Sequence, residues 1–153
     1  TMQAHRLENE VHIQRPPETV FRYVTQPWLW HEWHPASESA VGSANPLKVG
    51  DHFDESVSMQ PFGWFPIRIR RHLRWTVVQS QEPHLWEVHG TSPTIDVRAR
   101  YELDPVDGTR FRRTFHYQVK GPLRVIDRGF VLPRMQQQSV VALQNLQRAL
   151  EAQ

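Results

Sequence analysis

The order of the predicted elements constrains the fold of this chain more than any single motif does. One strand and two short helices come first, five extended segments follow, and one amphipathic helix closes the chain. A long antiparallel sheet followed by one helix tends to curl around that helix, because each element must bury its apolar face against another. The order therefore predicts an α+β domain in which a curved sheet of six to seven strands wraps around a long C-terminal helix. Such an arrangement can leave an open interior.

The strands are predicted from apolar residues that recur with a period of two. The first covers residues 6–15, and Asp107-Gly108 has the residue types of a tight hairpin turn. The later extended segments are predicted at 49–59, 67–81, 85–91, 96–105 and 108–119. Residues 36–48 are small and polar, so we expect a loop there.

Two short helices are predicted between the first two strands, and a long helix at the end of the chain. The first short helix ends near Pro27, and the second covers 28–33. The long helix covers 133–151, and residues 123–131 are expected to form an earlier helical segment that is separated from it by a kink at Pro133. Its apolar stripe consists of Met135, Ser139, Ala142, Leu143, Leu146 and Leu150.

Length and composition exclude several classes of protein. A chain of 153 residues suits one domain with a sizeable core, predicted here over 2–153. Without cysteine there can be no disulfide framework, thiol nucleophile or thiolate metal site. The formal net charge of +2 is too small to indicate nucleic-acid binding. No apolar run is long enough for stable membrane insertion, and residues 1–14 lack a secretory signal, so we expect a cytoplasmic protein.

Segments spread over nearly the whole chain carry a family resemblance. They are RPPETVFRYVTQP (15–27), WHEWHP (30–35), VGDHF (49–53), TVVQSQEPHLWEVHG (76–90) and YELDPVDGTRFRRTFHY (101–117). In these segments the chain resembles the START-like, or SRPBCC, superfamily, and within it the polyketide cyclase/dehydrase branch. The resemblance implies a helix-grip fold with a hydrophobic cavity between the sheet and the last helix. Members include lipid carriers, hormone receptors and cyclases, so the fold alone does not decide the function.

Strand alternation predicts charged side chains inside the domain. Glu55 has the parity of the apolar residues in its strand, and so do Arg71 and Arg113 in theirs. Tyr101 and Tyr117 would add two phenols to the same interior. Leaving a buried charge without its partner costs about 3–5 kcal/mol, so we expect Glu55 to pair with one arginine. A net positive charge would then remain inside.

Three roles are open for Arg71 and Arg113. Either guanidinium could receive a carboxylate, phosphate or enolate of an amphipathic ligand. A bulge could instead shift the strand parity and turn an arginine to the rim, where its stem covers apolar surface and its head meets water. A purely structural ion pair with Glu55 is the third role.

The predicted function is the binding of a small hydrophobic or amphipathic molecule in the internal cavity, without a cofactor. Apolar walls would supply the affinity, and a few polar groups the orientation. The predicted lining consists of Phe53, Glu55, Arg71, Trp75, Trp86, Tyr101, Arg113, Phe115, Tyr117, Met135 and Ser139. An alternative is a cofactor-free polyketide cyclase or dehydratase that uses the same cavity. Its candidate catalytic residues are Glu55 and His34 for proton transfer and Arg113 for an enolate.

Two closely spaced histidines are candidate metal ligands. His31 and His34 lie three residues apart beside Glu32, which can place two imidazoles on one helix face. Spacing suggests no third ligand, whereas a structural zinc site has four. We therefore predict no metal.

The aromatic segment QPFGWFP (60–66) indicates a contact surface. Phe62, Trp64 and Phe65 cannot all be buried easily in a short loop. They could form a portal to the cavity, a homodimer contact or a tip that touches a membrane, or they could fold back onto the protein. A second alternative function follows, a protein-interaction module that uses this loop and the convex face of the sheet.

Overall fold

Seven antiparallel strands and one long helix dominate the computed structural model of the protein, which describes residues 4–61 and 66–153. The strands are β1 (Ala4–Ile13), β2 (Ser37–Gly42), β3 (His52–Met59), β4 (Ile69–Gln81), β5 (Leu85–Thr91), β6 (Ile95–Asp104) and β7 (Thr109–Val119). The helices are α1 (Pro17–Val24), α2 (Leu132–Glu151), two 3₁₀ helices (Pro27–Glu32 and Gly121–Ile126) and a π-helical turn (Asp127–Val131). The predicted helix-grip fold is confirmed.

The strand order places the first and last strands of the sequence side by side. The order along the sheet is β1-β7-β6-β5-β4-β3-β2, so the first two strands in sequence lie at opposite edges. Helix α1 and the 3₁₀ helix after it carry the chain from one edge to the other. Helix α2 packs against β1 and that 3₁₀ helix. Its buried residues are five of the six in the predicted stripe, and the sixth, Met135, is partly buried. The five are Ser139, Ala142, Leu143, Leu146 and Leu150.

The loop prediction for residues 36–48 is wrong over Ser37–Gly42, which form β2. This strand pairs with β3 at the sheet edge, and its register shifts between Ser37 and Ser39. Most of its side chains are exposed or half-buried, so no apolar alternation marks it in the sequence. Short polar edge strands are a common way to limit pairing with other chains. The tertiary pairing with β3 overrides the weak local signal.

The helical segment predicted before the last helix is present, and Pro133 lies next to its junction with α2. Residues Gly121–Ile126 form a 3₁₀ helix and Asp127–Val131 a π-helical turn, and α2 begins directly afterwards at Leu132. Pro133 therefore lies in the first turn of α2. A proline in that position removes no helical hydrogen bond, because the first amide groups of a helix have no partner within it.

Trp30 fills one end of the interior. It lies in the 3₁₀ helix Pro27–Glu32, and its Nε1 donates a hydrogen bond of 2.8 Å to the carbonyl oxygen of Val24. Its ring meets Phe53 and Trp75 edge-on, at centroid distances of 5.4 and 5.9 Å. Phe53 in turn stacks on Trp75 and on Trp86. This aromatic cluster forms one boundary of the space beneath α2.

The outer face of the sheet carries paired charges. On β7, Arg112 lies 3.3 Å from Glu10 of the neighbouring β1. Across the β5–β6 pair, Arg100 lies 3.1 Å from Glu87. Opposite charges on adjacent strands stabilise a sheet modestly. Arg100 and Arg112 are thus balanced by carboxylates on the same face.

Candidate functional site

A cavity of about 140 Å³ lies between the inner face of the sheet and α2. Its walls are mostly apolar, and a small set of polar side chains interrupts them. These are His34, Glu55, Ser58, Arg71, Tyr101, Arg113, Gln138 and Ser139. Cavities of roughly 150 Å³ accept a molecule of the size of benzene, so a space of this volume suits a single ring or a short chain.

Most of the side chains predicted to line the cavity do so. They are Glu55, Arg71, Trp75, Tyr101, Arg113, Phe115, Met135 and Ser139. Phe53, Trp86 and Tyr117 are instead buried outside the cavity wall. Phe53 and Trp86 lie against Trp30, and it is Trp30 that lines the cavity. Tyr117 donates a hydrogen bond of 3.1 Å to Asp127 Oδ1, beneath the π-helical turn.

Further side chains line the cavity beside those of the predicted lining set. Val97 and Ala99 share the parity of Tyr101 on β6, so strand alternation could have identified them. Trp30 and Trp33 also line the cavity. No local pattern identifies these two, because their position depends on how a 3₁₀ helix docks on the sheet.

Arg113 is a buried cation on the inner face of β7. Its side chain is 6% exposed, and its Nε has no hydrogen-bond partner. Its guanidinium lies over the ring of Phe115, 4.8 Å from the centroid. Within residues 4–61 and 66–153, no carboxylate lies within 4.0 Å of it. The expected ion pair with Glu55 is therefore absent from the described part of the chain.

Glu55 is the acidic group of the cavity. Its carboxylate accepts a hydrogen bond of 3.0 Å from Trp75 Nε1. Trp75 can lie flat against β5 because Gly90 has no side chain, since a Cβ there would lie 2.7 Å from the indole. Burial raises the pKa of Glu55 to about 7, although Ser37, Trp75 and the charge of Arg113 act in the opposite direction. The Ser37 hydroxyl is nevertheless buried without a hydrogen bond of regular geometry.

The other polar groups near Arg113 are neutral at physiological pH. Burial, together with the charge of Arg113, lowers the pKa of His34 to about 3. Its Nδ1 accepts a hydrogen bond of 3.1 Å from the amide of Ala36, so the neutral ring carries its proton on Nε2. Burial raises the pKa of Tyr101, the cross-strand neighbour of Arg113, to about 12. Arg113 is thus a fixed positive charge among neutral groups and one carboxyl that titrates near neutrality.

Arg71 occupies a different environment. Its Nε donates to Thr94 Oγ1 at 2.9 Å, and its Nη1 donates to the carbonyl oxygen of Arg70 at 2.7 Å. The side chain is half-buried, so it lies at the rim of the cavity. Of the two arginines predicted to point inward, Arg71 has partners and access to solvent, and Arg113 is enclosed.

Metal ligands do not cluster in the described residues. His31 is exposed, whereas His34 lies in the cavity wall, and no group of three potential ligands occurs within residues 4–61 and 66–153.

The portal prediction for Phe62, Trp64 and Phe65 lies outside the described residues. No helix in the described part of the chain is long and apolar enough to cross a membrane.

Comparisons with known proteins agree with the fold. Residues 4–151 match the family model described as polyketide cyclase / dehydrase and lipid transport. No curated protein matches the chain. The crystal structure of TTHA0849 from Thermus thermophilus is similar with a TM-score of 0.72 and 17% identity, covering 97% of this chain and 98% of that one.

Two further solved structures have the same fold. The di-domain ARO/CYC protein BexL from the BE-7585A biosynthetic pathway has a TM-score of 0.73 and 15% identity, covering 98% of this chain and 51% of its own. Protein CV1439 from Chromobacterium violaceum has a TM-score of 0.67 and 13% identity, covering 96% of this chain and 98% of its own. At such identities the likeness concerns the fold. Because the family model spans nearly the whole sequence, this chain belongs to the polyketide cyclase/dehydrase and lipid transport family.

Proposed function

We propose that the protein binds a small hydrophobic or amphipathic molecule in the cavity between the sheet and α2. The observation that carries this proposal is an apolar cavity of about 140 Å³ with a few polar groups in its walls. Ligand sites in proteins commonly combine these properties, since apolar walls supply affinity and polar groups set orientation. Membership of a family described by cyclase, dehydrase and lipid-transport functions also supports a ligand in this space.

A substitution that fills the cavity tests the proposal. Ser139 is buried on α2 and lines the cavity, whereas the adjacent Val140 is 46% exposed and does not line it. We expect Ser139→Trp to abolish binding of small aromatic probes in calorimetric titrations, and Val140→Trp to leave their dissociation constants unchanged. Circular dichroism verifies that each variant is folded. Ala99→Leu fills the cavity from β6 if Ser139→Trp does not fold. Unchanged probe affinity in a folded cavity-filled variant would reject the proposal.

A cofactor-free cyclase or dehydratase is the second candidate function. It is favoured by Glu55, whose pKa of about 7 suits proton transfer at neutral pH, close to the positive charge of Arg113. In this reaction Glu55 removes a proton from the carbon beside a ketone, and Arg113 stabilises the enolate oxygen. The enolate carbon attacks a second carbonyl of the same substrate, and Glu55 returns the proton to the alkoxide that forms.

Turnover and binding distinguish the two candidates. For an enzyme, Glu55→Gln should abolish conversion of a reactive polyketone and still allow binding of an inert analogue at pH 6. For a binding protein, the native chain shows saturable binding of both compounds and no conversion above the rate in buffer.

A further inference from the structure

Arg113 has no carboxylate at ion-pair distance within the part of the chain that the structure describes. Its side chain is buried, its Nε has no partner, and no described carboxylate lies within 4.0 Å. A guanidinium carries five N–H donors and remains protonated in proteins. Burying such a group without a counter-charge is strongly unfavourable. The Nε–H of Arg113 therefore lacks an acceptor, and a bound molecule can supply one.

The surroundings of Arg113 leave an anion room to bind at its edge. Phe115 covers one face of the guanidinium at 4.8 Å, and a cation over an aromatic ring still presents its N–H groups in its own plane. Tyr101, opposite Arg113 on β6, is a neutral phenol. His34 is a neutral imidazole with Nε2 protonated. Both can donate a hydrogen bond to an oxygen anion.

Arg71 does not offer a comparable site for an anion. Two of its donors are already bound, to Thr94 and to the backbone of Arg70, and the side chain reaches solvent. An anion there would replace water and existing hydrogen bonds, which gives little net affinity. The two arginines of the cavity are thus a matched pair for an experiment. Arg71 has two donors bound and reaches solvent, whereas Arg113 is buried, with Tyr101 as a hydrogen-bond partner and its Nε unbound.

We propose that Arg113 is the recognition site for a carboxylate carried by a ring-sized apolar ligand, and that this carboxylate binds together with a proton on Glu55. The inference rests on the proposed function, because it names the class of ligand for the same cavity. The proton on Glu55 is inferred from the Coulomb interaction between its carboxylate and Arg113. A ligand carboxylate and an ionised Glu55 would be two like charges that share one cation in a poorly solvated space.

The groups that face this cluster are few among the described residues. They are His34 from the segment after the first 3₁₀ helix, Glu55 from β3, Arg71 from β4, Tyr101 from β6 and Arg113 from β7, whereas α2 contributes only uncharged side chains. His34 and Tyr101 keep their neutral forms between pH 5 and 9, since their pKa values are about 3 and about 12. Glu55 is therefore the group of this cluster that titrates over that range.

The first test compares acids with their matched amides in the full chain. Calorimetric titrations use benzoate and phenylacetate beside benzamide and phenylacetamide, at pH 6. We expect Arg113→Met to weaken carboxylate binding by at least about tenfold and amide binding by less than about threefold. Arg71→Met should leave both classes within about threefold of the native protein.

The outcomes separate this inference from the proposed function. If the amides bind in the cavity and the acids bind no more tightly, or if Arg113→Met weakens both classes equally, the inference is wrong and the cavity function stands. If neither class binds, nor a neutral probe such as toluene, both proposals fail.

The second test does not depend on the folding of an Arg113 variant. Benzoate is fully ionised above pH 6, so a change in its affinity at higher pH reports the protein. We expect its dissociation constant to rise by up to about tenfold per pH unit above pH 7 in the native protein, and to stay flat in Glu55→Gln. Benzamide should show no pH dependence in either. A native-like slope in Glu55→Gln would overturn the coupling to Glu55.

Discussion

Two adjacent residues of β7 show how differently the two faces of the sheet treat an arginine. Arg112 points outward and lies 3.5 Å from Glu8 and 3.3 Å from Glu10. Arg113 points inward, is enclosed, and has no described carboxylate within 4.0 Å. An exposed ion pair contributes little to stability, whereas a buried unpaired charge is costly. The proposed carboxylate site would offset that cost in the cavity wall, and the outer pair needs no such explanation.

The largest effect is expected from removing the aromatic side chain that bounds the cavity. Trp30 is 5% exposed and meets Phe53, Trp75 and Trp86 edge-on. Trp30→Ala should lower the free energy of unfolding by about 3–5 kcal/mol, measured by urea denaturation. The partly buried Trp28 of the same 3₁₀ helix is the control, and Trp28→Ala should cost distinctly less. Equal losses would mean that the interior is not organised around Trp30.

The second-largest expected effect is a pH dependence of the unfolding free energy, which arises from Glu55 on the inner face of the sheet. Burial raises the pKa of Glu55 from 4.5 to about 7, so the folded protein keeps a proton that the unfolded chain releases. The stability from this group is full below pH 4.5 and is lost as the pH rises through 7. The loss corresponds to about 3 kcal/mol.

Glu55→Gln isolates that contribution. His34, with its pKa lowered to about 3, acts in the opposite sense and loses stability as the pH falls below 6.5, but it is present in both proteins and cancels in the difference. We expect the unfolding free energy of Glu55→Gln minus that of the native protein to increase by about 3 kcal/mol from pH 4.5 to 8. A difference that does not change with pH would show that Glu55 is well solvated.

The smallest effects compare the two arginines of β7 directly. Without ligand, Arg113→Met should raise the unfolding free energy by about 2 kcal/mol, because an apolar side chain replaces a buried charge that has no carboxylate within ion-pair distance. Arg112→Met should leave the melting temperature nearly unchanged, since its partners Glu8 and Glu10 remain in water. Differential scanning calorimetry measures both. A clear destabilisation by Arg113→Met would mean that the guanidinium has a counter-charge, and the contrast between the two faces would disappear.

The fold was largely predictable from the sequence because its signals are local. Strand alternation identified Glu55, Tyr101 and Arg113 as inward-facing residues, and helical periodicity identified the buried stripe of α2. The β2 strand was missed, because a polar edge strand is defined by its pairing with β3 and not by its own residues. Phe53, Trp86 and Tyr117 were assigned to the cavity because alternation gives the face of a side chain and not its depth.

The sequence by itself determined that charged groups would lie beneath the terminal helix. Only the tertiary structure decided which of them have partners. Arg71 donates to Thr94 in the turn between β5 and β6, Glu55 accepts a hydrogen bond from Trp75, and Arg113 lies over Phe115. The physical reason is that alternation is a property of one strand, whereas a hydrogen bond or an ion pair requires two distant segments to meet within about 3–4 Å. That meeting is set by strand register and helix docking, which no local pattern specifies.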